Sequence, residues 1–335
     1  MEMPEFRQNI ATKEWVIIAP ERAKRPEDFK KKKVAKEFPE YDKNCPFCIG
    51  NEDKTPPSVY SIKKNGKWNL RVVPNKFAAL KSDLSPKRKR EGKSKRYLTI
   101  DGFGLAEVVI ETSVHNKTIA TMNYSEVRNV IKAYKQRYIE ISKNEDIRLI
   151  TIFRNHGAMA GTSLEHPHSQ IIATPVVPPH VRDQIFQARV ACDTFGTCIY
   201  CDMIKQELSE KKRIIVETDH FVAFSPYAAR SPFETRIIPK RHDCSFDAIT
   251  EKEIDNFSKV LRDTLRKIYL TLDNPDYNYI IRSSPTDERN TKHYHWYAVI
   301  IPKLTTPAGF EIGTGIYINV TPPEESARFL RQAKI

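Results

Sequence analysis

Two stretches of the chain repeat one pattern of apolar and polar positions. In the first, Glu107-Val108-Val109-Ile110-Glu111 reads as a strand leading to His115. A helix is predicted next, opening near Asn123-Tyr124-Ser125-Glu126, where Asn and Glu three apart have capping-box spacing. Val127, Val130, Ile131, Tyr134, Tyr138 and Ile141 then keep a helical period. Ile147 to Phe153 reads as a strand, and another begins at His166-Pro167-His168-Ser169-Gln170-Ile171-Ile172. In the second stretch, Phe221 to Phe224 and Thr235 to Ile238 read as strands leading to His242. Thr250-Glu251-Lys252-Glu253 caps a helix with Ile254, Phe257, Val260, Leu261, Leu265 and Ile268 on one side. Tyr277 to Ile281 and His295 to Ile301 are the closing strands.

This order predicts an α+β fold: a duplicated module of mainly antiparallel sheets, with helices packed on one side. Residues 175 to 197, with Pro175, Pro178 and Pro179, read as the linker between an N-terminal half, 1–178, and a C-terminal half, 190–335. The 335-residue length suits two such halves. No run approaches the ~20 apolar residues that span a bilayer. Met1-Glu2-Met3-Pro4-Glu5 lacks the charged-then-apolar pattern of a signal peptide. A soluble cytoplasmic protein without membrane partners is expected.

The chemistry concentrates in the segment that opens the last strand of the first half. Alternation sends His166, His168 and Gln170 to one face of that strand. Upstream lies Asn155-His156-Gly157-Ala158-Met159-Ala160-Gly161-Thr162-Ser163, whose glycines let backbone N–H groups approach phosphate oxygens. One imidazole held in place beside a second that is presented to substrate suits covalent catalysis at phosphorus. A metal site without catalysis would use the same histidines.

Six cysteines include the pairs Cys45-Pro46-Phe47-Cys48 and Cys198-Ile199-Tyr200-Cys201. Two cysteines held two apart offer a pre-formed edge of a tetrahedral zinc site. Cys45, Cys48, His115 and His166 complete one set. Cys198, Cys201, His242 and either His293 or His295 complete the other. From His115 to His166 is the same separation as from His242 to His293, which favours His293 by symmetry. Four protein ligands leave no open position, so both zinc sites are expected to be structural. Cys192 and Cys244 stand alone and read as structural.

The net charge of +13 changes the picture little. Much of it lies in Lys30 to Lys33 and in Lys87 to Arg90 with Lys93, Lys95 and Arg96, which read as solvated loops. Neither run carries the interleaved aromatics of a single-strand nucleic-acid groove. A zinc-structured basic nucleic-acid-binding protein would explain charge and cysteines but leave His168, Gln170 and the glycines without purpose.

The His-x-His-x-Gln motif, the Cys-Pro-Phe-Cys pair and the run from Gly309 to Asn319 resemble the galactose-1-phosphate uridylyltransferase family, a branch of the histidine-triad superfamily. The resemblance covers nearly the whole chain and implies two fused histidine-triad-like modules. It implies a ping-pong exchange between UDP-glucose and galactose-1-phosphate, with His168 as nucleophile and His166 on the metal. It places Gln170, Asn155 and Ser163 near the phosphates, Asn75 and Phe77 at the nucleoside, and Phe310 and Glu311 at the hexose. A homodimer acting on a nucleotide sugar and a sugar-1-phosphate, with no nucleic acid, follows from it.

The chain departs from the enterobacterial pattern at several places. Val299 and Ile301 stand where further metal-ligating histidines occur in that type, so zinc rather than iron is expected there. Lys76 replaces an acidic ribose contact, and Tyr317 a hexose-contacting glutamine. The second Cys-x-x-Cys and the Gly-Phe-Glu-Ile-Gly-Thr-Gly run also resemble the plant ADP-glucose phosphorylase branch. There the histidine matching His295 is the ligand, which selects His295 over His293 here, and adenylyl transfer to phosphate is the alternative activity.

Overall fold

A computed structural model describes residues 3–22, 25–29 and 38–335. Lys30 to Lys33 lie outside the described residues. The first half contributes β1 (Glu5–Gln8), β2 (Trp15–Ile18), α1 (Pro26–Phe29), β3 (Tyr60–Lys64), β4 (Lys67–Pro74), β5 (Arg88–Glu91), β6 (Tyr97–Ile100), β7 (Leu105–Ile110), α2 (Tyr124–Ile141), β8 (Leu149–His156) and β9 (His168–Thr174). After it come α3 (Pro179–Phe195), α4 (Ile199–Glu210), β10 (Ile214–Glu217), β11 (Phe221–Phe224), β12 (Thr235–Pro239), α5 (Glu251–Leu272), β13 (Tyr277–Arg282), β14 (Tyr297–Pro302), α6 (Gly309–Thr314), β15 (Tyr317–Asn319) and α7 (Pro323–Gln332).

Ten of these strands form one sheet, in the order β10-β11-β12-β14-β13-β8-β9-β7-β4-β3. Its centre is the antiparallel pair β8–β13, with Phe153 opposite Ile280 and Asn155 opposite Asn278. Reading outward from that seam, β8, β9, β7, β4 and β3 mirror β13, β14, β12, β11 and β10. The duplication is therefore a pseudo-two-fold within one continuous sheet.

The two long helices form where the apolar period and the caps place them. Asn123 accepts from the Glu126 N–H at 3.0 Å while Glu126 accepts from the Asn123 N–H at 2.9 Å. Thr250 and Glu253 make the same reciprocal pair at 3.3 and 2.8 Å. Such a cap is worth about 1 kcal/mol. Val127, Val130, Ile131 and Tyr134 of α2 and Ile254, Phe257, Leu261 and Leu265 of α5 bury against Ile150, Ile152, Ile171, Tyr279 and Ile281 of the sheet. One core serves both halves.

Three details add to the sequence expectation. The proline-rich connection is the 17-residue helix α3, which starts on Pro179 and ends at Gly196 with φ 73°. It buries Val181, Ile185 and Ala188 with α4 on the opposite face of the sheet from α2 and α5, so helices occupy both faces. The basic run from Lys87 is not a loop: β5 pairs with β6 in an exposed hairpin, Arg88 opposite Ile100. A separate small sheet, β1-β2-β15, is tied to the β11–β12 connection, where Asn319 donates to the Ala229 oxygen at 3.0 Å. Among the described residues no helix is long and apolar enough to cross a membrane.

Candidate active site

On the face of the sheet away from α2, a small core of Phe47, Val73, Val108 and Ile110 surrounds the first Cys/His cluster. The ligand atoms of Cys45, Cys48, His115 and His166 all lie within 4.8 Å of one another, and all four residues are buried. Cys48 Sγ stands 3.4 Å from His115 Nδ1 and 3.6 Å from His166 Nδ1. His166 Nε2–H donates to the main-chain oxygen of Thr112 at 2.8 Å. A carbonyl can only accept, so the proton sits on Nε2 and the Nδ1 lone pair faces the thiols. Burial lowers the His166 pKa to about 4, keeping it a neutral ligand. Burial pushes the Cys45 thiol up to about 11, a cost that a divalent cation would reverse by holding the thiolate. Two thiols and two imidazoles in this arrangement can hold a metal ion.

The second cluster repeats the first. Cys198, Cys201, His242 and His295 also lie within 4.8 Å of one another. Cys201 Sγ is 3.4 Å from His242 Nδ1 and 3.7 Å from His295 Nδ1, and His295 Nε2–H donates to the Pro239 oxygen at 3.0 Å. In both clusters the two histidine rings meet with centroids 5.3 Å apart and planes at 80°. It is His295 that joins the cluster; His293 brings only its main-chain oxygen, 3.5 Å from Cys198 Sγ. The equal separation that favoured His293 is coincidental, because the second half is two residues longer between its paired histidines. Hydrogen bonds from Cys201, and from His242 and His295, hold the Cys198 thiol well below its ordinary pKa, while Cys201 beside that thiolate is pushed up. His242 is exposed, so this cluster opens to solvent where the first is closed.

His168 begins β9, and His166 lies just before the strand. His168 Nδ1–H donates to the main-chain oxygen of His166 at 2.8 Å. That fixes the tautomer and leaves the Nε2 lone pair free. The ring packs against the edge of Phe47 at 5.4 Å. Burial lowers the His168 pKa, the bond to the His166 oxygen opposes this, and the positive charge of Arg154 lowers it further. The group is a neutral imidazole with one nucleophilic nitrogen.

Around it, Gln170 lies two residues along the same strand face, and its side chain makes no hydrogen bond among the described residues. Phe153 pairs with Gln170, so continuing the register by two places Asn155 across from His168. Ser163 is exposed in the glycine segment, where Gly157 and Gly161 take φ of 84° and 87°. Asn75 follows β4, its carboxamide oxygen accepting the Phe77 N–H at 3.0 Å, and Phe77 is 87% exposed with its ring free to meet a ligand. Phe310 and Glu311 are on α6, beside the three-stranded sheet. Glu311 accepts the Ala308 and Ile318 N–H groups at 2.8 and 3.1 Å. No hydrogen bond or ring contact joins α6 to the His168 face among the described residues. Tyr317 lies under the Arg230 guanidinium at 5.4 Å.

Residues that local motifs did not point to also shape the site. Phe47 walls His168, Thr112 orients His166, and Asp276 and Asn278 arrive from the second half. The nearest sequence signal for Phe47 was its place inside Cys-Pro-Phe-Cys; for the others there was none.

A duplicated α+β sheet with a buried Cys/His cluster fastened to a buried histidine that keeps one ring nitrogen unbonded is the arrangement a nucleotidyltransferase needs to act through histidine. The comparisons agree. The family model for the N-terminal domain of galactose-1-phosphate uridyl transferase matches residues 1–178 and that for its C-terminal domain matches residues 182–319, so the chain belongs to this family. An ADP-glucose phosphorylase from Arabidopsis thaliana is 37% identical, covering 100% of this chain and 94% of its own. A galactose-1-phosphate uridylyltransferase from Thermotoga maritima is 30% identical, covering 99% of both. The crystal structure of the Arabidopsis ADP-glucose phosphorylase with bound ADP-glucose superposes with a TM-score of 0.83 at 35% identity, over 99% of this chain and 100% of that one.

Proposed function

We propose that this nucleotidyltransferase is a hexose-1-phosphate uridylyltransferase. His168 Nε2 attacks the α-phosphorus of UDP-glucose; a P–N bond forms as the bond to the glucose-1-phosphate oxygen breaks. Galactose-1-phosphate then attacks the same phosphorus, UDP-galactose leaves, and the histidine is regenerated. The observation that carries this reading is the 2.8 Å bond from His168 Nδ1–H to the His166 oxygen, which presents a neutral Nε2 beside a fixed cluster. In this reading Gln170, Asn155 and Ser163 contact the phosphates, Asn75 and Phe77 the nucleoside, and Phe310 and Glu311 the hexose. Zinc fills both clusters and is structural in each. The protein works as a cytoplasmic homodimer whose halves, 1–178 and 190–335, divide catalysis from scaffolding.

A second reading is adenylyl transfer from ADP-glucose to inorganic phosphate through the same histidine. The higher identity to the Arabidopsis phosphorylase than to the Thermotoga enzyme supports it. The test is incubation with UDP-glucose and ADP-glucose, each labelled at the α-phosphate. Acid-labile label on wild-type protein from UDP-glucose, and none on His168→Ala, is expected. Label from ADP-glucose alone would establish the second reading. No label from either, or label surviving in folded His168→Ala, would remove the covalent histidine.

A further inference from the structure

We infer that Asn278, from the second half, is a positioning residue that aims the Asn155 carboxamide at the phosphate site; this rests on the nucleotidyl-transfer reading. Asn278 Nδ2 lies 2.8 Å from Asn155 Oδ1 and 2.9 Å from the main-chain oxygen of Ala160. The Ala160 oxygen can only accept, so the Asn278 atom facing it is the NH2 group. Its other proton then points to Asn155, whose facing atom must be the oxygen. The Asn155 NH2 is thereby turned away from Asn278 and toward the glycine segment, 3.9 Å from where a Cβ on Gly161 would stand. Two donors are presented where an anionic oxygen would be held, in line across the sheet with His168.

The same strand end fixes the segment itself. Asp276 Oδ2 accepts the Met159 N–H at 2.7 Å. Gly157, at φ +84°, passes so close that a Cβ there would stand 2.3 Å from the Asp276 carboxyl. Asn278 holds Ala160, one residue further on. The turn from Gly157 to Gly161 is thus clamped from β13, across the β8–β13 seam. The seam carries first-half geometry on second-half side chains, which gives the covalent fusion of the halves a role in the reaction.

The test is a double-mutant cycle on α-phosphate label transfer, with kcat, KM and the thermal midpoint followed for wild type, Asn278→Leu, Asn155→Ala and the double variant. Asn278→Leu should lower kcat/KM by ~10- to 10²-fold, as loss of aim by a fraction of an ångström does. In the Asn155→Ala background the same substitution should cost less than ~2-fold, since it acts through a carboxamide already gone. Should Asn278→Leu fail to fold, Asn278→Ser, whose hydroxyl can donate only one of the two bonds, enters the same cycle. Equal losses in both backgrounds would make Asn278 merely structural and overturn the inference. Wild-type protein that takes no label would instead overturn the transfer reading beneath it.

Discussion

Thr112 and Pro239 hold the same post in the two halves: the main-chain oxygen of each accepts the Nε2–H of a cluster histidine, His166 at 2.8 Å and His295 at 3.0 Å. The halves diverge two residues further on. His168 follows His166, but Tyr297 follows His295, its ring stacked on Tyr200 and covered by the Arg236 guanidinium at 4.5 Å. Phe47 of the first Cys-x-x-Cys and Tyr200 of the second likewise correspond. The duplication kept the cluster and its carbonyl anchor in both halves, and a second histidine two residues on, His168, in one.

Gln170 extends from the His168 face with no side-chain hydrogen bond among the described residues, so its amide can donate to a phosphate oxygen. Gln170→Ala should lower transfer by about 10²-fold, the scale of a lost oxyanion donor. Single-turnover labelling measures it. Unchanged turnover with a lower thermal midpoint would reduce Gln170 to a strand residue.

Glu253 gives a pH dependence. Burial pushes its carboxyl up, but hydrogen bonds from Arg241 and from the Thr250 N–H and hydroxyl outweigh this and hold its pKa below the ordinary value. The unfolded chain therefore binds the proton more readily, and stability rises with pH across that window. The contribution, about 1 kcal/mol as a helix cap, is present above the usual carboxylate pKa of ~4.3. It is lost as pH falls through the depressed value. Glu253→Gln should flatten that part of the acid limb in denaturant titrations; an unchanged acid limb would refute the assignment.

Arg154 and Glu111 form an ion pair buried on the helix side of the sheet, where the Tyr134 hydroxyl lies 2.7 Å from Ser169 Oγ and 3.4 Å from Glu111 and also meets Tyr279. Removing one partner strands the other charge. Glu111→Leu should cost ~3–5 kcal/mol by chemical denaturation, while the double change Glu111→Leu with Arg154→Met should recover most of it. A single substitution costing under ~1 kcal/mol would show that the pair is solvated.

The parts of this architecture legible in the sequence are those written locally. The helices α2 and α5 carry their caps and apolar stripes within a few residues, and each cysteine pair lies within one turn. What depends on distant pairing was not legible. Spacing alone favoured His293, and only the family resemblance selected His295, which does enter the cluster. The helix α3 was hidden by Pro178 and Pro179, which sit at its N-terminus where proline is tolerated. Asp276 and Asn278 reach the glycine segment only through the β8–β13 pairing, and no local pattern encodes that.

The two clusters should separate under mutation. Wild-type protein is expected to carry about two zinc ions per chain, one for each set of four ligands, and Cys45→Ser or Cys198→Ser about one. The consequences for transfer should differ. His166 is both a member of the first cluster and the residue whose main-chain oxygen fixes the His168 tautomer at 2.8 Å. A loosened first site lets the nucleophile drift from in-line geometry, so Cys45→Ser should lower transfer by ~10²-fold as well as reduce stability. At the second site the residue two beyond His295 is Tyr297, buried against Tyr200, and no transferring group depends on it. Cys198→Ser should lower the thermal midpoint and leave transfer by the folded fraction within about two-fold. Elemental analysis, thermal unfolding and single-turnover labelling on the same preparations provide the three readouts. Iron at the second site would refute the zinc assignment there. Equal losses of transfer from both substitutions, in protein shown to be folded, would end the division of labour between the halves.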